Sequence, residues 1–177
     1  MPERDMTDDA HARGERLCQA LNIPYAVESI EDSLEAIGCY ARRDDAIRRI
    51  VPEYQRDWRH KITISPAEND TISFFNLVVQ DPQGVQTTRR MPLDVYLTVV
   101  AATNFKQRIR KNLEYYHADR LNYAVIGTPN KLEYDLGFFV RGGDGLADVK
   151  PIAHLYKTQV YALAETLGVT EEIRRQT

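Results

Sequence analysis

Helical and strand-like segments alternate along the chain, residues 121–126 form a strand-like run without polar alternation, and glycine-rich sequence follows that run. Together these predict an α/β fold: a parallel sheet flanked by helices, with an inserted β-hairpin at about residues 60–90. At 177 residues the chain has the size of one domain, 1–177, able to bury a full core.

Each element follows from local chemistry. Thr7 is the expected N-cap of the first helix, with Asp8 and Asp9 in the first turn, where carboxylates favour the helix dipole. Ala10, Leu17, Cys18, Ala20 and Leu21 give that helix an apolar side, so Cys18 is expected in the core; Asn22 and Pro24 end it. Residues 25–30 read as a strand and 31–36 as a short helix broken by Gly38. Residues 41–50 are again helical, stopped by Pro52.

The middle is β-rich. Residues 61–64 and 72–79 are β-branched and aromatic, and Asp81-Pro82-Gln83-Gly84 is a turn signal, predicting a hairpin over 72–87. Pro92 then opens a long helical stretch through 93–102 and 108–120, with an interruption expected near Asn104. Residues 121–126 predict a strand buried on both faces. Residues 154–167 are the clearest helix: Leu155, Val160, Leu163, Ala164 and Leu167 share a face, and Gly168 stands at C′.

Charge and cysteine content narrow the function classes. With 23 basic and 26 acidic residues the formal charge is -3, which gives no global field towards nucleic acid or membrane. The short basic runs Arg42-Arg43, Arg48-Arg49, Arg89-Arg90 and Arg174-Arg175 read mainly as solvated helix faces. Cys18 and Cys39 make neither a disulfide framework nor a metal site. No run reaches the length of a membrane span, and the charged start Met1-Pro-Glu-Arg-Asp is not a secretory signal, so the cytoplasm is the expected location.

Two constellations could carry chemistry. After Ile126, Gly127 permits a tight turn and Thr128 offers a hydroxyl; Glu133, five residues on, could hold a magnesium ion between phosphates. Arg141 precedes Gly142-Gly143-Asp144-Gly145, and Asp148 and Lys157 add an anion and a cation suited to a polyphosphate. Taken alone, Gly-Gly-Asp-Gly is also a generic surface turn. The second constellation is helical: Asn104 lies four residues before Arg108, with Arg110 beyond, a face able to take a carboxylate or phosphate. An exposed basic helix would look the same.

In this order and spacing, the two constellations resemble NAD synthase, the ATP-dependent enzyme that converts deamido-NAD to NAD. Asn104, Arg108 and Arg110 match its Asn-x-x-x-Arg-x-Arg helix. Gly127 to Glu133 match Gly-Thr-x-x-x-x-Glu, and Gly143 to Asp148 match Gly-Asp-Gly-x-x-Asp, followed by Lys157-Thr158-Gln159. Gly38-Cys39-Tyr40, Arg42-Arg43-Asp44 and the hairpin insert resemble a longer bacterial branch of the family.

The resemblance implies a Rossmann-like fold related to other pyrophosphatase-loop (adenine-nucleotide alpha-hydrolase-like) enzymes, acting as a homodimer. It assigns Thr128 and Lys157 to ATP, Glu133 to Mg2+, and Asn104, Arg108, Arg141 and Asp148 to deamido-NAD. Position 141 is usually lysine in the family, so Arg141 keeps the charge with a different donor geometry. The implied reaction is amidation through an acyl adenylate, with ammonia, free or glutamine-derived, as nitrogen donor. GMP synthase and tRNA-thiolating relatives fit less well, since the Asn104–Arg110 helix points to a dinucleotide and no basic face suits tRNA.

One family signature, Ser-Gly-Gly-x-Asp-Ser, is absent from the 177 residues; Gly142-Gly143 is the sole Gly-Gly pair. By position it would precede Met1, and the family continues beyond Thr177, so the expectation is a partial fold without its first strand and helix. Two expectations follow: little synthase turnover by this polypeptide alone, or a non-catalytic relative that dimerises or binds deamido-NAD.

Overall fold

The computed structural model describes residues 1–6, 8–65 and 73–175. Thr7, Ile72 and Thr177 lie outside the described residues. The chain forms two compact units, Leu34–Phe105 and Met1–Ser33 with Lys106–Thr177.

In order, the elements are α1 (Asp8–Ala20), α2 (Glu31–Ala36), α3 (Cys39–Arg48), β1 (Arg59–Ile64), β2 (Phe75–Gln80), β3 (Gln86–Arg90), α4 (Leu93–Leu121), α5 (Lys131–Asp135), α6 (Lys157–Thr166) and α7 (Glu171–Arg174). The unit boundaries fall within α2 and α4.

The unit of residues 34–105 holds an antiparallel sheet, β1-β2-β3. Pairing runs from Arg59↔Gln80 to Ile64↔Phe75, and from Asn76↔Arg90 to Gln80↔Gln86. Period-two alternation sends Leu77 and Val79 of β2 inward. They join Ala46, Ile47, Val51, Tyr54, Met91, Val95 and Val99 in one core. Within this unit the buried residues of α4 are Val95, Val99 and Ala102, spaced as one helix face requires. Burying each of the two valines contributes about 1.5–3 kcal/mol.

The predicted turn at 81–84 joins β2 to β3. Gly84 adopts φ 88°, its amide bonds the Asp81 carbonyl at 3.0 Å, and Asp81 Oδ1 accepts from the Val85 amide at 2.8 Å. The hairpin expectation therefore holds at its turn, but the insert is a three-stranded sheet. Residues 61–64 supply part of the third strand by pairing with β2.

One basic run departs from the solvated reading. Arg43 is 2% exposed, its guanidinium bound to the Asp44 carboxylate at 2.8 Å and set over the Tyr40 ring. Buried arginine needs such a partner, because an uncompensated charge in the interior is far costlier than a paired one.

In the other unit, α1 and α4 end alike. Asn22 (φ 51°) and Asn122 (φ 53°) take the left-handed conformation after each helix. The next amides, of Ile23 and Tyr123, return to the carbonyls of Cys18 and Ala118 at 2.8 Å. This ending uses up Leu121 and Asn122, so the strand expected over 121–126 shrinks to a single parallel bridge, Ile126↔Val149. Residues 25–30, also expected as a strand, form no strand. Among the described residues regular pairing is antiparallel, because neither segment has a neighbouring strand to complete a parallel ladder. A cleft of about 800 Å³ is walled by Tyr25, Tyr123 and Ile126, among others.

Three smaller differences follow. α4 continues through Asn104 without the expected break. α6 begins at Lys157 rather than 154, and Leu163 and Leu167 on its apolar face are exposed by 43% and 73%. Cys18 is half-buried, whereas Cys39 is fully buried. As expected, Gly168 takes a positive φ, 74°, just past α6.

Candidate functional site

The loop after Ile126 opens with a close approach. A Cβ on Gly127 would lie 2.7 Å from Ala147 Cβ, so only glycine lets the two loop segments pass. The Gly127 amide donates to Val149 O at 2.8 Å, fixing where Thr128 projects.

Asn130 then starts α5. Its side-chain oxygen accepts from the amides of Leu132 (3.0 Å) and Glu133 (3.2 Å), while Glu133 Oε2 accepts from the Asn130 amide at 2.9 Å. This reciprocal capping box holds the Glu133 carboxylate against the helix start. Sequence reasoning passed over Asn130, although Asn-x-x-Glu ahead of a short helix is a legible signal. The amide of Lys131 anchors the same turn to Leu155 O at 2.8 Å, just before α6.

Thr128, Glu133 and Lys157 line one cavity of about 290 Å³, together with Asn130 and Asp144. Phe138, Ile152 and Val160 contribute its apolar wall. Lys157 is exposed at the first position of α6, and among the described residues no carboxylate pairs with it. The cavity thus gathers a hydroxyl, two carboxylates and an ammonium. Asp144, within the glycine-rich motif, has its Oδ1 accepting the Val140 amide at 2.8 Å.

The glycines of that loop serve packing. A Cβ on Gly143 would stand 2.8 Å from Gln107 Cβ of α4, and one on Gly145 would strike the Phe139 ring. Gly142 has φ 70°. Their small size lets the loop fold on itself and on α4.

Arg108 and Arg141 come together. Arg108 Nε donates to Arg141 O at 3.1 Å, and both residues are exposed. Asp148 is already engaged: Oδ2 accepts the Val125 amide at 2.8 Å and Oδ1 accepts the Tyr115 hydroxyl at 3.1 Å. Desolvation, followed by the bond to Asp148, raises the Tyr115 pKa above its ordinary value. Asn104 is half-buried on α4 in the other unit, one residue before its boundary.

Magnesium is a hard cation that takes oxygen ligands and is commonly held by one or two carboxylates plus substrate phosphates. Glu133 and Asp144 supply that number, and Thr128 adds a neutral oxygen. No cluster of three or more potential ligands occurs among the described residues, so such an ion would depend on phosphate oxygens.

Comparison with known proteins gives a consistent answer. The profile of the family described as NAD synthase matches residues 84–177. The NH(3)-dependent NAD(+) synthetase of Rhizobium meliloti (strain 1021) is 58% identical over 177 residues, covering 99% of this chain and 53% of that protein. Among solved structures, the NH3-dependent NAD synthetase from Campylobacter jejuni has a TM-score of 0.60 at 26% identity, with 98% of this chain and 53% of that one covered. The NMN synthetase from Francisella tularensis has a TM-score of 0.63 at 22% identity, covering 99% and 52%, a likeness of fold. The chain spans about half the length of the curated relatives it matches. These matches and the α/β architecture show that the chain belongs to the NAD synthase family.

Proposed function

We propose that the chain serves ATP-dependent amidation of deamido-NAD to NAD, the last step of NAD formation, and that the cavity at Thr128, Glu133 and Lys157 takes ATP. The observation that carries this reading is the meeting of those three side chains in one cavity of an NAD synthase family member.

The chemistry joins two anions, a nicotinate carboxylate and a triphosphate. The carboxylate oxygen attacks the α-phosphorus, the bond to the β-phosphate oxygen breaks, and pyrophosphate leaves. Ammonia then attacks the acyl carbon, loses a proton and expels AMP. Lys157 offsets phosphate charge, Thr128 donates a hydrogen bond, and Arg108 and Arg141 hold the dinucleotide's own phosphates or carboxylate. Fixing both reactants lowers the entropic part of the barrier. Glu133 and Asp144 would hold Mg2+, which supplies further neutralisation of phosphate charge when bound. Asp148 completes the proposed deamido-NAD contacts.

The same reading extends to architecture and setting. A parallel, Rossmann-like sheet is the proposed architecture of the whole protein, and the parallel Ile126–Val149 bridge supports it. The functional form would be a cytoplasmic homodimer. No helix among the described residues is long and apolar enough to cross a membrane.

Calorimetric titration with MgATP tests the proposal. The wild-type chain should bind, and Lys157→Met should weaken binding at least about tenfold, or 1.4 kcal/mol. Equal affinities, or no binding at millimolar nucleotide, would overturn it. A second reading is a non-catalytic binder of deamido-NAD. Formation of NAD and AMP from deamido-NAD, MgATP and ammonia separates the two.

A further inference from the structure

Helix α4 grips the loop of residues 141–148 at three places. Gln107 fills the space left by Gly143, Arg108 bonds the Arg141 carbonyl, and Tyr115 bonds Asp148. Arg108 and Tyr115 are seven residues apart, two helical turns, so they lie on one face and bracket the loop. Asp148 is the junction. Its second oxygen takes the Val125 amide at 2.8 Å, and its own amide donates to Val125 O at 3.0 Å. Residues 125–127 lead directly to Thr128, whose place is further set by the Gly127 amide on Val149 O.

We infer that Tyr115 is a positioning residue: its hydroxyl fixes the Asp148 carboxylate and, through Val125, the entry to the loop that carries Thr128. A carboxylate tied at both oxygens is held in one rotamer. Each oxygen keeps a further lone pair, so Asp148 can still accept a ligand hydroxyl without releasing its protein partners. Without the phenol the Val125 amide is the one hydrogen bond left to its side chain among the described residues, and the carboxylate is free to turn. This inference rests on the deamido-NAD reading of Asp148, yet its structural half can be tested apart from it.

The experiment compares the full chain with Tyr115→Phe, Asp148→Asn and the double variant. Tyr115→Phe keeps the ring and removes only the hydroxyl. Calorimetry should show deamido-NAD affinity falling at least about fivefold in Tyr115→Phe with MgATP affinity changed less than about twofold. The double variant should be no weaker than Asp148→Asn alone, the non-additivity expected of one linked unit. Loss of both affinities in equal measure would mark general loosening and overturn the inference, as would wild-type affinity in Tyr115→Phe or additive losses in the double variant. If the wild-type chain takes no deamido-NAD, the reading of Asp148 as a ligand fails, and exchange at the Val125 amide decides the rest. Faster exchange in Tyr115→Phe, with the Tyr123 amide unchanged as a control, supports the tie; unchanged exchange at Val125 overturns it.

Discussion

Replacing Asn130 with alanine should loosen the turn that presents Glu133. The side chain accepts two amide bonds, from Leu132 at 3.0 Å and Glu133 at 3.2 Å, and Asn130 is only 5% exposed. Loss of an asparagine N-cap costs roughly 0.5–2 kcal/mol, and a buried donor left unpaired costs about 1–3 kcal/mol. With water reaching part of the turn, the sum should be about 2 kcal/mol, a factor near thirty in local opening. Amide hydrogen exchange reads this directly at Leu132, Glu133 and Tyr134, the last bonded to Asn130 O at 2.9 Å. Glu133→Gln is the companion variant. Its amide oxygen can still accept the Asn130 N–H, so exchange should stay near wild type while the charge offered to a cation is lost. Acceleration by less than about threefold in Asn130→Ala would refute the capping argument, as would equal acceleration in Glu133→Gln.

Three further outcomes follow from the packing and electrostatics. Gly145→Ala would set a Cβ 2.7 Å from Phe139 Cε2, an overpacking that should lower stability by about 1–3 kcal/mol in urea titration and shift the Phe139 ring resonances. Asp94, bonded to Arg49, has its pKa lowered from 3.8, chiefly by that hydrogen bond. Its contribution is present above the unfolded value and lost as pH falls through the folded one; Asp94→Asn should therefore flatten the acid limb of a melting profile below about pH 4. Tyr115 is shifted the other way, up from 10.0. Its contribution is complete below the unfolded value and disappears as pH rises through the folded one, so Tyr115→Phe should remove part of the stability loss above about pH 10.

Where a signal is local, the sequence is legible. The Asp81–Gly84 turn, the Asn22 helix end, the Gly168 C′ position and the helix over most of 154–167 all depend on residues within one or two turns of chain. Thr128, Glu133 and Lys157 stand out through the family resemblance rather than through spacing alone, and the three line one cavity. Strand assignments at 25–30 and 121–126 depend instead on a partner strand, which no local pattern supplies. The burial of Arg43 was likewise hidden, because an arginine pair reads as solvated until its tertiary neighbours are known. Tyr115 could not be picked out at all. Its role depends on meeting Asp148, 33 residues away in sequence.

The central claim is that Thr128, Glu133 and Lys157 surround one ATP-binding cavity. Titrating the isotope-labelled chain with ATP and Mn2+, in place of Mg2+, measures it by paramagnetic broadening. Broadening should centre on the amides of Thr128, Glu133, Asp144 and Lys157 rather than spread evenly along the chain. Broadening that is uniform, or that falls elsewhere and leaves Glu133 sharp, would contradict the account.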